Sequence, residues 1–271
     1  MSDSRRTLPG PRHASRGAST IASAAPLLLG ALFVALAAWE RRRPLRRQTN
    51  PHSGRLFSNL AIGLAGALVV AAVEGPITRK LADMAERRQL GLVRQLGLPE
   101  PAQRILSLLL LDYSLYLWHV LMHRVPALWR WHRVHHADLD MDASTGLRFH
   151  AMEMLWSVPW RAAQVVCIGV PHATLALWGR LTLAEVMFHH ADVRLPIGVE
   201  RVLSVFVVTP RLHGVHHSNV PGHQRTNLSS VLALWDVLHG TRCSAVPQAS
   251  ITIGLPPVEP AALPLSEQSS A

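Results

Sequence analysis

The sequence predicts an all-α integral membrane protein, with about four transmembrane or re-entrant helices and a cytosolic-side helical cap carrying clustered histidines. Three observations lead there. Uncharged apolar runs long enough to cross a bilayer recur along the chain, charged residues are scarce, and imidazoles gather in short strings beside the runs. Of the 271 residues, 49% are hydrophobic and only 16% are charged. Ordinary soluble domains carry roughly 25% charged residues, so part of this exterior is suited to lipid. The net charge is +10, nearly all of it arginine, since Lys80 is the only lysine. Apolar runs separate the arginine clusters, which favours anionic lipid headgroups over nucleic acid as partners. Cys167 and Cys243 form no C-x-x-C pair and imply no disulfide framework.

Residues 1–20 are rich in Ser, Arg, Gly and Pro without periodicity and read as a disordered tail. Residues 22–39 (ASAAPLLLGALFVALAAW) are uncharged and of spanning length. The rival reading is a signal peptide cleaved after Ala35-Leu36-Ala37. The following ERRRPLRR is an unusual start for an exported chain, so a retained helix is favoured. A second run covers 56–73 and ends at Glu74, and an arginine-bearing amphipathic stretch over 79–104 suits the membrane interface. Together, residues 21–104 form an N-terminal membrane region. Ile105–Leu121 is the third apolar segment and differs in carrying Asp112 and His119. The region 154–188, broken by Arg161, Pro171 and Arg180, predicts a helical hairpin or re-entrant pair. A shorter apolar run follows at 199–209, and the Pro-, Ala- and Ser-rich residues 244–271 read as a flexible tail. If the cluster RRRPLRR at 41–47 is cytoplasmic, parity places His123 to His136 on that side too. The 79–104 stretch is also basic, so charge alone does not settle orientation.

The sixteen histidines divide sharply. His13 and His52 lie in polar segments, and His172 follows a proline at a turn. The others cluster. His119 and His123 are four apart and share a helix face with Asp112 and Tyr116. His132, His135 and His136 form an H-x-x-H-H string, and His213, His216 and His217 repeat it. With one of His189 and His190, these make nine donors. A tetrahedral site uses four, so the count predicts two ions. Imidazoles gathered at the edge of a lipid-embedded helix are costly unless something coordinates them. The bland reading, satisfied core histidines or a pH-sensitive patch, suits a lone histidine but not two matched strings. Imidazole suits zinc, copper, nickel and iron alike. Neither H-E-x-x-H nor the Glu-x-x-His of soluble di-iron bundles is present.

The run Asp112–Glu153, together with FHHADVRLP (188–196), TPRLHGVHHS (209–218) and LWDVLHGT (234–241), resembles the fatty acid hydroxylase / sterol desaturase superfamily. The resemblance covers roughly residues 105–242 and implies a histidine-bound di-iron oxygenase domain over 105–243. By it, His119, His123, His132, His135, His136, His190, His213, His216 and His217 are metal ligands, with His189 able to replace His190. His150, in Arg148-Phe149-His150-Ala151-Met152-Glu153, is a further possible ligand. Glu153, Asp112 and Asn227 are candidates for orienting ligating imidazoles. There are departures: Gly214 stands where relatives often have arginine, His239 where they have phenylalanine, and Arg225–Ser229 keeps only the asparagine of its element.

The resemblance implies two non-haem iron ions, dioxygen as co-substrate and an external electron donor, either a small haem protein or a ferredoxin with its reductase. The substrate is a lipid from the bilayer (a fatty acyl chain, a sterol or another isoprenoid-type lipid), hydroxylated or desaturated. The expected location is a bacterial inner membrane with the site facing the cytoplasm. Two alternatives are a membrane zinc hydrolase and a non-catalytic metal-binding membrane protein. The two H-x-x-H-H strings are expected to form two halves of one di-iron cradle.

Overall fold

The computed structural model describes residues 15–50 and 52–255. Of the expected tails, residues 1–14, with His13, and 256–271 lie outside the described residues, whereas residues 15–20 belong to the first helix. The protein is an all-α membrane protein, and among the described residues only isolated β-bridges occur outside helices and turns. Among the described residues, three stretches are long and apolar enough to cross a membrane: Ala24–Arg42, His52–Gln95 and Glu100–Arg124. α1 (Ser15–Arg42) supplies the first. α2 (His52–Val69) continues through a π-helical turn, Val70–Glu74, into α3 (Gly75–Arg87) and the short α4 (Leu92–Gln95). α5 (Glu100–Arg124) is the third. Leu27 and Phe57 are each 78% exposed, and such uncovered apolar side chains on α1 and α2 suit a lipid-facing belt.

The 79–104 stretch is less superficial than its arginines imply. Thr78, Ala82 and Ala85 of α3 and Val93 of α4 are buried. The predicted hairpin is present as α7 (Ala151–Ile168) and α8 (His172–His190). α7 ends at Gly169, whose φ of 77° is the left-handed conformation in which helices commonly stop. Pro171 then starts α8. Leu111, Leu115, Trp118 and Met122 of α5 pack with Ile168 and Trp178 of the hairpin, forming the larger apolar core.

Proline places the breaks that bring the histidines together. Pro126 disfavours helix at Val125, which is extended (φ −97°, ψ 113°), and then opens α6 (Pro126–His136) at its first position. α5 and α6 therefore meet at a corner with His119 and His123 on one arm and His132, His135 and His136 on the other. α9 (Ile197–Phe206) leads to Thr209-Pro210, where the same device starts α10 (Pro210–His216). The short α11 (Leu234–Leu238) closes the cap.

A polar collar ties the cap to the membrane helices. Arg55 of α2 donates to Asp138 through Nε (2.7 Å) and pairs with Asp142 (3.0 Å). Asn59 donates to Asp138 (2.8 Å), and the Thr49 and Asn50 amides donate to Asp140 (3.0 and 2.7 Å). Glu40 at the end of α1 accepts from the amides of Ala143 and Asp192. α2 packs closely on this region because Gly63 and Gly66 lack side chains. A Cβ there would lie 2.5 Å from the Leu147 carbonyl and 2.6 Å from that of Phe149. Residues 244–255, expected to be flexible, instead pack on the cap: Gln248 accepts from Arg46 and donates to the Arg211 carbonyl, and the Gly254 amide donates to His217.

Candidate metal centre

The imidazoles gather into two adjoining groups. His119, His123, His132, His136 and His216 form one, and His135, His190, His213 and His217 the other; within each, donor atoms lie within 4.8 Å of one another. These are the nine histidines expected from the sequence. Each H-x-x-H-H string is divided between the groups. His132 and His136, one turn apart, face the first, while His135 turns to the second. The second string does the reverse, with His216 in the first group and His213 and His217 in the second. Successive helical residues diverge by about 100°, at 3.6 residues per turn, so an adjacent His-His pair faces two different groups.

The geometry fits cations. In the second group, His190 Nε2 lies 3.0 Å from His135 Nε2, 3.1 Å from that of His213 and 3.2 Å from that of His217. Donors about 2.1 Å from a shared ion, at right or tetrahedral angles, stand about 3.0–3.4 Å apart. Hydrogen bonds outside the groups fix the tautomers. His190 Nδ1 donates to the Val186 carbonyl (2.7 Å), His119 Nδ1 to that of Leu228 (2.7 Å) and His216 Nδ1 to that of Thr226 (2.9 Å). A neutral imidazole has one N–H, so Nε2 of each carries a lone pair directed inward. His132 Nε2 and His216 Nε2 are buried without a partner. Converging lone pairs repel unless a cation lies between them, and neutral imidazole is the ligating form.

Burial keeps the cap imidazoles in that form. Desolvation first, then neighbouring imidazoles, holds His135, His136, His213 and His217 well below the usual histidine range. The same burial, followed by His132, lowers His216 to about 3.

The remaining predicted residues separate by what they touch. Glu153 at the start of α7 lies 3.0 Å from His132 Nδ1, with both side chains buried. Asp112 hydrogen-bonds to no imidazole: its Oδ2 accepts from Trp235 Nε1 (2.7 Å) and the Leu232 amide (3.1 Å), so it ties α5 to α11 and the loop before it. Asn227, at φ 50°, donates to the carbonyls of Leu212 and Cys243 and accepts from the Cys243 amide, bracing the loop that follows His217. His189 is buried beside the second group, its ring 4.1 Å from that of His213, but belongs to neither. His150 caps α7, accepting from the Met152 amide (3.1 Å), and stacks on Trp131. At Gly214 the space is filled by the Arg46 guanidinium from the 41–47 cluster. His239 stacks on Tyr116 and pairs with Tyr113.

Sequence reading missed Asp236. Its carboxylate accepts from the amides of Leu228 (2.7 Å) and Ser229 (3.0 Å) and from Thr241 Oγ1 (2.7 Å). It thereby fixes the Leu228 carbonyl that receives His119. The acidic spacing of Asp138, Asp140 and Asp142 was a readable signal for the collar, but its partners lie far away in the sequence.

A largely apolar cavity of ≈ 800 Å³ opens beside the imidazoles. His119, His132, His135, His190 and His213 form one part of its wall, and α2, α7 and α8 supply most of the rest. Leu60 and Leu64 of α2 and Leu183 of α8 line it and are also exposed on the surface, which marks a lateral opening between these helices.

Fold and site together define a helical membrane protein whose paired imidazole groups border a lipid-sized apolar cavity. The chain belongs to the fatty acid hydroxylase family, whose model matches residues 104–241. It is similar to an ornithine lipid hydroxylase, OlsE, of Rhizobium tropici: 27% identical over 228 residues, covering 81% of this chain and 67% of that one. An alkylglycerol monooxygenase of Xenopus tropicalis is 27% identical over 137 residues, covering 50% of this chain and 29% of its own. A cholesterol 25-hydroxylase-like protein of Danio rerio is 30% identical over 137 residues, covering 49% and 53%. The chain thus spans about two thirds of the first relative, about half of the third and less of the second. No solved structure matches.

Proposed function

We propose that this protein is a membrane lipid mono-oxygenase in which the two imidazole groups each hold one non-haem iron. The carrying observation is the convergence of buried, inward-facing Nε2 lone pairs beside an apolar cavity. Bound there, iron would supply dioxygen activation: one oxygen atom enters a C–H bond and the other leaves as water, with two electrons and two protons from outside. His119, His123, His132, His136 and His216 would hold one ion, and His135, His190, His213 and His217 the other. Glu153 accepts the His132 Nδ1 proton and keeps that ring aimed inward. The apolar walls exclude water and position a lipid carbon near the imidazoles, and the lateral opening admits it from the bilayer. Hydroxylation is favoured over desaturation by the similarity to a lipid hydroxylase and a monooxygenase.

Electrons would come from a small haem protein or a ferredoxin with its reductase. We place the site on the cytoplasmic face of a bacterial inner membrane. The arginine cluster at 41–47 lies against the cap, with Arg43 accepting from the Arg194 amide and Leu45 donating to Asp192, so the positive-inside preference carries the imidazoles with it.

The test is metal analysis of protein purified from iron-replete cells, followed by aerobic incubation with membrane lipid, reductant and an electron carrier. About two irons per chain and products heavier by one oxygen support the reading. Stoichiometric zinc with no dioxygen uptake overturns it and favours the hydrolase alternative.

A further inference from the structure

The cavity has a second polar place, away from the imidazoles. Arg161 lies eight residues beyond Glu153 on α7, about 12 Å along the axis at 1.5 Å per residue. Both side chains line the cavity. The guanidinium rests over the Trp178 ring at 4.7 Å, and one terminal nitrogen donates to Gln164 (3.3 Å). Its Nε, however, is shut off from solvent without a partner, as are Trp178 Nε1 and Thr182 Oγ1 on the facing helix α8. All three residues line the cavity. Two N–H donors and a hydroxyl are therefore left unsatisfied in an apolar wall, and a buried donor without an acceptor is costly. An arginine in such a setting marks a functional contact. Nearby, Glu74 at the end of the π-helical turn also lines the cavity, and its carboxylate accepts from Ser157 (3.2 Å).

We propose that Arg161, Trp178 and Thr182 form the subsite for an acyl carbonyl oxygen of an ester- or amide-linked lipid, with the chain running from there towards the imidazoles. Unpartnered donors call for an acceptor oxygen. Glu74 decides between the two sources of one: its negative charge opposes that of a free carboxylate, whereas a neutral carbonyl accepts from the donors without repulsion. The distance from Arg161 to Glu153 then acts as a ruler, selecting which carbon lies beside the imidazoles. This inference rests on the hydroxylase reading for its chemistry, but the subsite can be tested by binding alone.

The experiment compares wild type, R161M, T182V and E74Q, in vesicles of neutral phospholipid, against three probes with the same acyl chain: an N-acyl amide, a methyl ester and the free acid. Binding is measured on the protein as purified, without reductant, and product position on the same protein with reductant and dioxygen. Wild type is expected to prefer amide and ester over acid. R161M should weaken ester and amide binding by about tenfold or more, the loss of one hydrogen bond from a charged donor, and should scatter the oxidised position while iron content stays unchanged. T182V should weaken binding less, and serves if R161M fails to fold. E74Q should raise binding of the free acid. Binding of every probe by R161M and T182V as tight as by wild type, or an unchanged product position in R161M, overturns the subsite. Arg161-dependent binding with no lipid oxidised by wild type would leave the subsite standing and defeat the hydroxylase reading instead.

Discussion

Removing the Glu153 carboxylate should loosen one ion and leave the other in place. Its Oε1 lies 3.0 Å from His132 Nδ1, with the two side chains 3% and 1% exposed, so no water replaces it freely. Loss of such an outer partner typically costs about 10–100-fold in metal affinity, or about 1.4–2.7 kcal/mol. Glu153→Gln keeps an acceptor oxygen but loses the charge and belongs near the lower figure. Glu153→Ala also strands a buried N–H, which adds about 1–3 kcal/mol, and belongs at or above the upper figure. His132 faces only the group containing His119, His123, His136 and His216. The assay is iron release to a graded chelator series. Wild type should lose its ions over a narrow range, whereas the variants should lose one ion at about 10–100-fold lower chelator strength, with the second unmoved. Equal weakening of both ions, or of neither, would refute the assignment of Glu153 to one centre.

Asp236→Asn should lower the unfolding midpoint and reduce iron content together. The amide turns an N–H towards the Leu228 or Ser229 amide and costs about 1–3 kcal/mol, a loss that thermal unfolding in detergent and metal analysis would both register. Gly63→Ala should destabilise by about 1–3 kcal/mol, since its Cβ meets the Leu147 carbonyl at 2.5 Å, while Gly30→Ala, with nothing within 4 Å, should not; equal thermal midpoints for the two would contradict the close packing of α2. Metal-stripped protein should lose stability on acidification. His216 falls to about 3 in the fold from 6.5, so below the higher value the unfolded chain binds more protons, and stability drops as pH falls through that window by up to about 1.4 kcal/mol per unit. A flat midpoint between pH 7.5 and 5.5 would contradict this.

The site was legible where its chemistry is local. The spacing of His119 with His123 and the two H-x-x-H-H strings lie within single helices or at their ends, so periodicity alone groups them. The hairpin was legible for the same reason, with Arg161, Pro171 and Arg180 breaking an apolar run. What escaped depends on residues distant in the chain. Asp112 looks like a metal-orienting carboxylate because it shares a face with His119, yet Trp235 and Leu232, more than a hundred residues away, claim its oxygen. Asp236 carries no local mark, because it acts on His119 only through the Leu228 backbone. Residues 244–255 read as flexible by composition, and only the contacts of Gln248 and Gly254 show otherwise.

The division of both strings between the two groups has a consequence for assembly. Neither centre can form from one segment. The first needs α5, α6 and α10, and the second needs α6, α8 and α10. Before α6 and α10 meet, the α5–α6 corner already offers four imidazoles to the first group, whereas the second has only His135 of α6 and His190 of α8 on one side and His213 and His217 of α10 on the other, too few on either side for a four-ligand site. Once they meet, four or five converge, and the apo cap must hold their lone pairs against one another. Ion binding at the second group would therefore be coupled to docking of α10 on α6, and the ion's affinity would contribute to the stability of the cap itself. The collar of Arg55, Asn59 and the acids at 138, 140 and 142 holds α6 and its following loop on α2 without any ion. That leaves α10, braced by Asn227 and by Arg46 over Gly214, as the element whose docking completes both centres at once.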